Sequence, residues 1–316
     1  MRILFVTSEW PSEGQPNHVP FLKDHILSLE SKGIKASIYK IKSESIAIRL
    51  ISIFQLRKQI RDKNYDIIHI HWGYNGLFCL GLNTPNVITF HGSDLNKPSY
   101  WKARSIIIYL ISKISTITSN HNIFVSKELA KESLMKKKKM TVIPMGIDLD
   151  KFFPMDKKVC REKLNFPENK HLILFGGNAS QAVKRLPLAK SIFKYLGENY
   201  KLITVDYVDH NLIPFYMNAC DILLMTSLSE GSPTMIKEAM ACNLPIVSTD
   251  VGDVKEKIQG LENCFVLKNE TPEKIASIVK KCIKSQVHPN GRGKILNYSL
   301  NILSNKMIKV YKSITV

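Results

Sequence analysis

Residues 221–256 read DILLMTSLSEGSPTMIKEAMACNLPIVSTDVGDVKE, and the fold class is decided in them. Ile222–Met225 is a short apolar run, which predicts a buried strand. A polar turn rich in Ser and Gly follows, and a helical pattern begins after it. Strand, loop and helix N-terminus are thus adjacent, and in an open α/β sheet that junction lies at the carboxyl end of a strand, where ligands bind. Glu230 falls on the lip of the loop. Glu238, eight positions on, is about 2.2 helical turns further along and on roughly the same side, so two carboxylates could reach one ligand at different depths. The spacing has a plainer reading as well: a glutamate early in a helix favours the positive end of the helix dipole and needs no ligand, and one eight residues later is solvated. Spacing alone leaves both open.

The same alternation continues outward. Strand-like runs occur at 3–6, 35–39, 66–70, 87–90, 122–125 and 141–143, and after Pro144 at 172–175, 202–205, 222–225, 246–248 and 264–267, with helical patterns between them. This rhythm predicts βαβ units and parallel sheets. A chain of 316 residues can bury two ordinary cores. The expectation is an α/β protein of two doubly wound domains, 1–150 and 151–296, with a closing helical stretch 297–316 whose apolar residues fall at Leu300, Leu303, Met307, Val310 and Tyr311. The charged segment 146–169, with Pro154 and Pro167, reads as the linker.

Composition narrows the class. Hydrophobic residues make up 44% and charged residues 23%, a globular balance. Lys and Arg number 45 against 27 Asp and Glu, a net charge of +18, and each half of the chain holds +9. Such a surface attracts polyanions: nucleic acid, an anionic membrane or phosphorylated substrates. No RNP, helix-turn-helix or zinc pattern is present, so nucleic acid is not the expected partner. The six cysteines form no CxxC pair and read as reduced. The N-terminus enters a strand without a signal-peptide pattern and no apolar run approaches the ~20 residues of a membrane span, so the expectation is a cytoplasmic protein, soluble or peripheral.

Five further stretches carry candidate chemistry. The loop 7–21, TSEWPSEGQPNHVPF, follows the first strand but lacks GxGxxG; Gly14 is its candidate phosphate-loop glycine, or simply a turn residue. DIIHIHW, 66–72, places His69 and His71 on one strand face, where they read as satisfied histidines because no third metal ligand is nearby. TFHGSD, 89–94, puts His91 and Asp94 at a strand's carboxyl end. HLILFGGNASQAVKRLPLAK, 171–190, is a strand followed by Gly176 and Gly177, then Lys184 and Arg185 at a helix start, a place suited to a diphosphate. Finally, 48–61 and 100–113 are basic and amphipathic, with Trp101, Lys102 and Arg104 in the second and the run Lys136–Lys139 further on. They are expected to pack on the sheet, or to rest on anionic headgroups.

SEGSPTMIKEAMACNLPIVSTDVGDVKE closely resembles the nucleotide-sugar-binding segment of retaining glycosyltransferases of family 4. That resemblance implies the GT-B fold, two Rossmann-like domains with parallel sheets facing across a cleft, and a last helix that returns to the first domain. It assigns Glu230 to the donor sugar, Glu238 to the nucleotide ribose, Gly231, Ser232 and Pro233 to the donor turn, and His91 of the HGxD motif to the sugar from the opposite domain. MTVIPMGIDLDKFFP, 140–154, resembles the interdomain signature, with Met145 where an Asn is usual. Asn178 stands where most members have an Arg, so the diphosphate falls to Lys184 and Arg185 beside Gly177. The implied activity is front-face transfer from a nucleotide-diphosphate sugar, without metal or further cofactor, to a glycan or polyprenyl-linked acceptor at the inner membrane face. A non-catalytic scaffold of the same fold is the alternative.

Overall fold

The structure, a computed structural model, describes residues 1–12, 18–42, 46–98, 103–134, 139–206 and 208–315. Gly14, Trp101, Lys102 and Lys136 to Lys138 lie outside the described residues. The chain forms two compact units, Met1–Gly146 with Leu300–Val316, and Ile147–Ser299.

In the first unit the strands are β1 (Arg2–Thr7), β2 (Lys35–Lys40), β3 (Ile67–His71), β4 (Asn86–Phe90), β5 (His121–Phe124) and β6 (Met140–Val142). They form one parallel sheet in the order β2-β1-β3-β4-β5-β6. β3 and β4 are buried along their whole length, as strands covered on both faces must be. The closing helix Leu300–Ile314 belongs to this unit. It lies against helix Pro20–Glu30, where Ser304 Oγ meets Ser28 Oγ at 2.9 Å, and it buries Tyr311 completely.

The second unit holds β7 (His171–Phe175), β8 (Tyr200–Ile203), β9 (Ile222–Met225), β10 (Ile246–Thr249) and β11 (Cys264–Leu267), again parallel, in the order β11-β10-β9-β7-β8. Leu172, Leu174, Leu223 and Met225 fill the core on one face. Ile173, Phe175, Ile222 and Leu224 fill the other. The chain reverses direction across the sheet between β7 and β9, and a doubly wound sheet binds its ligand at that switch point.

The segment expected to be a linker is part of the second unit from Ile147 onward. Helix Lys157–Lys163 within it is capped by Asp156. Its buried Arg161 donates from Nε to the Ala219 carbonyl at 3.0 Å and from Nη2 to Asp221 Oδ2 at 2.9 Å. Charge in this segment therefore marks an internal tether to the strand β9 junction. Among the described residues no helix is long and apolar enough to cross a membrane, and Cys160, Cys220, Cys242, Cys264 and Cys282 are free thiols.

Candidate active site

The switch point of the second unit is built from two loops. β7 runs into Gly176 and Gly177. A Cβ on Gly176 would lie 2.8 Å from Met225 Cβ, so the glycine lets the two strand ends close on each other. Gly177 has φ +155, and a Cβ there would lie 2.7 Å from Lys184 Cδ. The bare backbone is thus the bed on which the Lys184 stem lies, and that bed aims Nζ at Glu230 Oε1, 2.5 Å away. Neither side chain is a solvated surface charge. A charge-assisted bond in such a partly buried setting is roughly twice as strong as a neutral one.

Arg185 is held in the left-handed region, φ 54, and donates from Nε to the Thr226 carbonyl at 2.6 Å. Thr226 Oγ1 donates back to the Lys184 carbonyl at 2.8 Å, and Leu228 N donates to the Val183 carbonyl at 2.9 Å. The lysine-arginine turn is therefore stitched across to the loop that follows β9, and the cations expected to serve a diphosphate stand where the two strand ends meet.

Glu230 and Gly231 are fixed from the other side by Gly252. With φ +55, Gly252 lies so close that a Cβ would sit 2.5 Å from the Gly231 carbonyl oxygen and 3.0 Å from that of Glu230. The SEGSP turn, including Ser232 and Pro233, is clamped between this glycine and Lys184. Helix Thr234–Ala241 begins only after Pro233, its N-cap. Glu230 is four residues ahead of the helix, so the expected 2.2-turn relation between Glu230 and Glu238 does not hold. Glu238 lies in the second turn, is buried, and faces His210, whose Nε2 is 3.7 Å from Glu238 Oε1. His210 Nδ1 in turn meets Lys151 Nζ at 2.9 Å. The two carboxylates have separate cationic or imidazole neighbours.

His210, Lys151 and Gly252 were not singled out by sequence reasoning. Nor was Lys237, which is fully buried beneath the turn, its Nζ 3.3 Å from Ser232 Oγ. Burial lowers its pKa to about 7, against the pull of Asp253 and Glu238 and with the push of Lys257. Asp253 itself is paired with Lys257 at 2.8 Å. Between about pH 7 and the ordinary lysine value the folded chain binds fewer protons here than the unfolded chain, so this group makes stability rise with pH across that window. Lys237→Met is expected to raise the urea midpoint at pH 7 and to flatten the rise between pH 7 and 9.5. An unchanged slope in the variant would rule the lysine out as its source.

In the first unit the ends of β3 and β4 gather four aromatic rings. His69 is satisfied on both nitrogens, by Tyr311 Oη at 2.6 Å and Thr89 Oγ1 at 2.7 Å, as its strand position predicts. His71 departs from that expectation: its Nδ1 meets His91 Nε2 at 2.9 Å, but its Nε2 is buried with no hydrogen-bond partner among the described residues, and the Trp72 ring lies 4.6 Å from that of His91. Burial pushes the His69 and His71 pKa values well below the usual histidine range. Asp94 is buried and accepts from the backbone N of Gly73 at 2.7 Å, Gly92 at 2.9 Å and His91 at 3.1 Å. It ties the two strand ends together. Its burial raises its pKa, and the same three N–H groups, which prefer the carboxylate, hold the rise back. Among the described residues no three His, Cys, Asp or Glu side chains are grouped to hold a metal ion.

Comparison with known proteins follows the two units. The family described as Glycosyl transferases group 1 matches residues 157–285, and Glycosyltransferase Family 4 matches residues 18–151. A putative teichuronic acid biosynthesis glycosyltransferase, TuaC, of Bacillus subtilis (strain 168) is 23% identical over 91% of this chain and 90% of its own length. The UDP-Gal:alpha-D-GlcNAc-diphosphoundecaprenol alpha-1,3-galactosyltransferase of Escherichia coli is 26% identical over 69% of this chain and 64% of its own. Among solved structures, Anabaena Alr3699/HepE in complex with UDP and glucose superposes with a TM-score of 0.76 at 14% identity, covering 99% of this chain and 100% of that one.

Proposed function

We infer, for a chain that belongs to the group 1 glycosyltransferases and has their GT-B fold, that it moves a sugar with retention of configuration from a nucleotide-diphosphate sugar to a glycan or polyprenyl-linked acceptor in surface-polysaccharide or lipid-linked glycan synthesis. The observation that carries this reading is the Lys184–Glu230 pair on Gly177 at the sheet's switch point. It puts a cation for a diphosphate and a carboxylate for a sugar hydroxyl side by side.

In the transfer, the bond between the anomeric carbon and the diphosphate breaks as the acceptor hydroxyl attacks the same face. The hydroxyl proton passes to the departing phosphate oxygen, and the products are a glycoside and a nucleoside diphosphate. Lys184 and Arg185 offset the charge that grows on the leaving group, which is where a fixed positive group lowers the barrier most. Glu230 holds the sugar, Glu238 the ribose, and the Gly231 and Ser232 amides a sugar or phosphate oxygen. His91 serves a sugar hydroxyl. With these cations present the reaction is proposed to need no metal. The E. coli relative's name, with its UDP-sugar donor and diphosphoundecaprenol acceptor, and the UDP and glucose in the Anabaena structure, support the choice of partners. A lipid-linked acceptor would place the protein at the inner face of a cell membrane.

The test is release of nucleoside diphosphate from a series of UDP- and GDP-sugars, with a polyprenyl-diphosphate glycan as acceptor and EDTA present. Turnover of one donor, insensitive to EDTA and giving a product of unchanged anomeric configuration, is expected. An inverted product would overturn retention. No turnover of any donor would favour a scaffold of the same fold.

A further inference from the structure

Helix Ala103–Thr118 has its polarity inside out. Its buried residues are Ser112, Ser115 and Thr116. Ser112 and Ser115 face the turn Gly73–Cys79, which comes so close that a Cβ on Gly73 would lie 2.9 Å from Ser112 Cβ and one on Gly76 2.7 Å from Ser115 Cβ. Only small side chains fit. Among the described residues the buried Ser112 and Ser115 hydroxyls have no hydrogen-bond partner, so lack of space rather than polarity selected that face.

Ile106, Ile108 and Ile111 are half-buried, and four other large aliphatics are left outside. Ile107 is 55% exposed, Leu110 51%, Ile114 47% and Ile117 57%. At 100° per residue these four positions fall within an arc of about 80° and span about 15 Å of helix. Helix Ile46–Lys63 behaves differently, since its Leu56 and Ile60 are buried in the core of the unit. A continuous apolar stripe of this kind on an exposed helix face marks a contact surface.

Charge selects the contact. Residues 97–139 contain ten Lys or Arg and two Glu, so +8 of the net +18 lies in this one segment. The even +9 of each half concealed it. Both glutamates are already engaged, Glu132 by Lys113 at 3.2 Å and Tyr109 at 2.8 Å, and Glu128 by Lys131 at 2.6 Å. The helix itself has no acidic residue. A second copy meeting this face would set like charge against like. Nucleic acid would leave the aliphatic stripe unburied. An anionic bilayer surface takes both, the aliphatics entering the headgroup boundary while the cations meet phosphate.

We propose that the stripe Ile107, Leu110, Ile114 and Ile117 is the face by which this protein docks on an anionic lipid bilayer. The proposal deepens the reading of a lipid-linked acceptor and rests on it for its purpose, yet it is tested without turnover. The full chain is floated with phosphatidylcholine vesicles with and without phosphatidylglycerol. Binding to the anionic vesicles alone is expected, with a loss of roughly tenfold or more in Ile107→Glu/Ile114→Glu, since four aliphatics supply the apolar half of the attachment. Phe54→Glu, on the other helix, is expected to float like the parent.

Circular dichroism checks that the double variant folds. Should it not, Ile114→Trp replaces it, with a blue shift of fluorescence expected on adding anionic vesicles. The proposal is overturned if the parent fails to float, if the double variant floats equally well, if the emission of Ile114→Trp does not move, or if light scattering shows a dimer of the parent that the double variant dissolves. Nucleoside diphosphate release with a soluble acceptor is expected to be equal in parent and double variant. Loss of release in both would sink the glycosyl-transfer reading and leave the docking result standing.

Discussion

Glu230→Gln is expected to lower turnover by roughly 10²–10³-fold, the effect of removing one preorganised polar contact from a reacting centre. Gln preserves the shape of the side chain, so the SEGSP turn keeps its clamp between Gly252 and Lys184. Lys184 is partly open to solvent, so the charge it is left with can hydrate, and only a small change in melting temperature is expected. The informative contrast is with binding of the bare nucleoside diphosphate. Glu230 neutralises Lys184 in the structure. Without it the lysine is released for phosphate, so affinity for the nucleoside diphosphate is expected to hold or rise while sugar transfer collapses. Lys184→Met should do the reverse to binding, weakening the nucleoside diphosphate. Calorimetric titration of both variants separates the two roles, and turnover within tenfold of the parent in Glu230→Gln would end the assignment.

Gly252→Ala should have the second largest effect, through the backbone. At φ +55 any L side chain pays about 1–2 kcal/mol in the left-handed region. Here the new Cβ also meets the Gly231 carbonyl oxygen at 2.5 Å, and overpacking of this kind costs a further 1–3 kcal/mol or so. The total expected loss of stability is about 2–5 kcal/mol. Because what must move is the donor turn, the donor KM should rise by roughly tenfold or more. Gly260→Ala is the control. Its φ is +79 with nothing within 4 Å of the added Cβ, so it should lose only the strain and leave the kinetics unchanged. Equal kinetics in both variants would show that the clamp on the turn has no part in donor binding.

The fold was legible because parallel strands are buried on both faces and stand out as apolar runs between helical patterns. Small offsets occurred at open ends: the run expected at 202–205 is strand from Tyr200 to Ile203, its register fixed by His171 opposite Tyr200. Two separate stretches, Gly177 to Lys184 and the turn at Glu230, could be named as candidates from the residue types and the resemblance, and the structure brings Lys184 and Glu230 together. The relation between Glu230 and Glu238 was not legible, because it depends on where the helix begins, and Pro233 delays that beginning. His210 and Lys151 lie 28 and 87 residues before Glu238, and nothing in their own neighbourhoods foretells the approach. Lys237 carries no mark in the sequence, because lysine is usually a surface residue. The outward face of helix 103–118 was hidden for another reason. Its isoleucines spread over about 200° of the helix, so periodicity cannot say which of them the glycines of the neighbouring turn will exclude.

The closing helix has a consequence for biosynthesis. Tyr311 fills the core of a unit whose sheet is finished by Val142, and its hydroxyl holds His69. Everything from Ile147 to Ser299 is an uninterrupted unit placed between the two parts of the other. During translation that unit can complete itself as soon as it leaves the ribosome, whereas the sheet made first waits, with the seat of Tyr311 open, until the final turns of the chain arrive. The order of synthesis and the order of completion are therefore reversed, and the interval between them is when the first sheet most needs protection from aggregation.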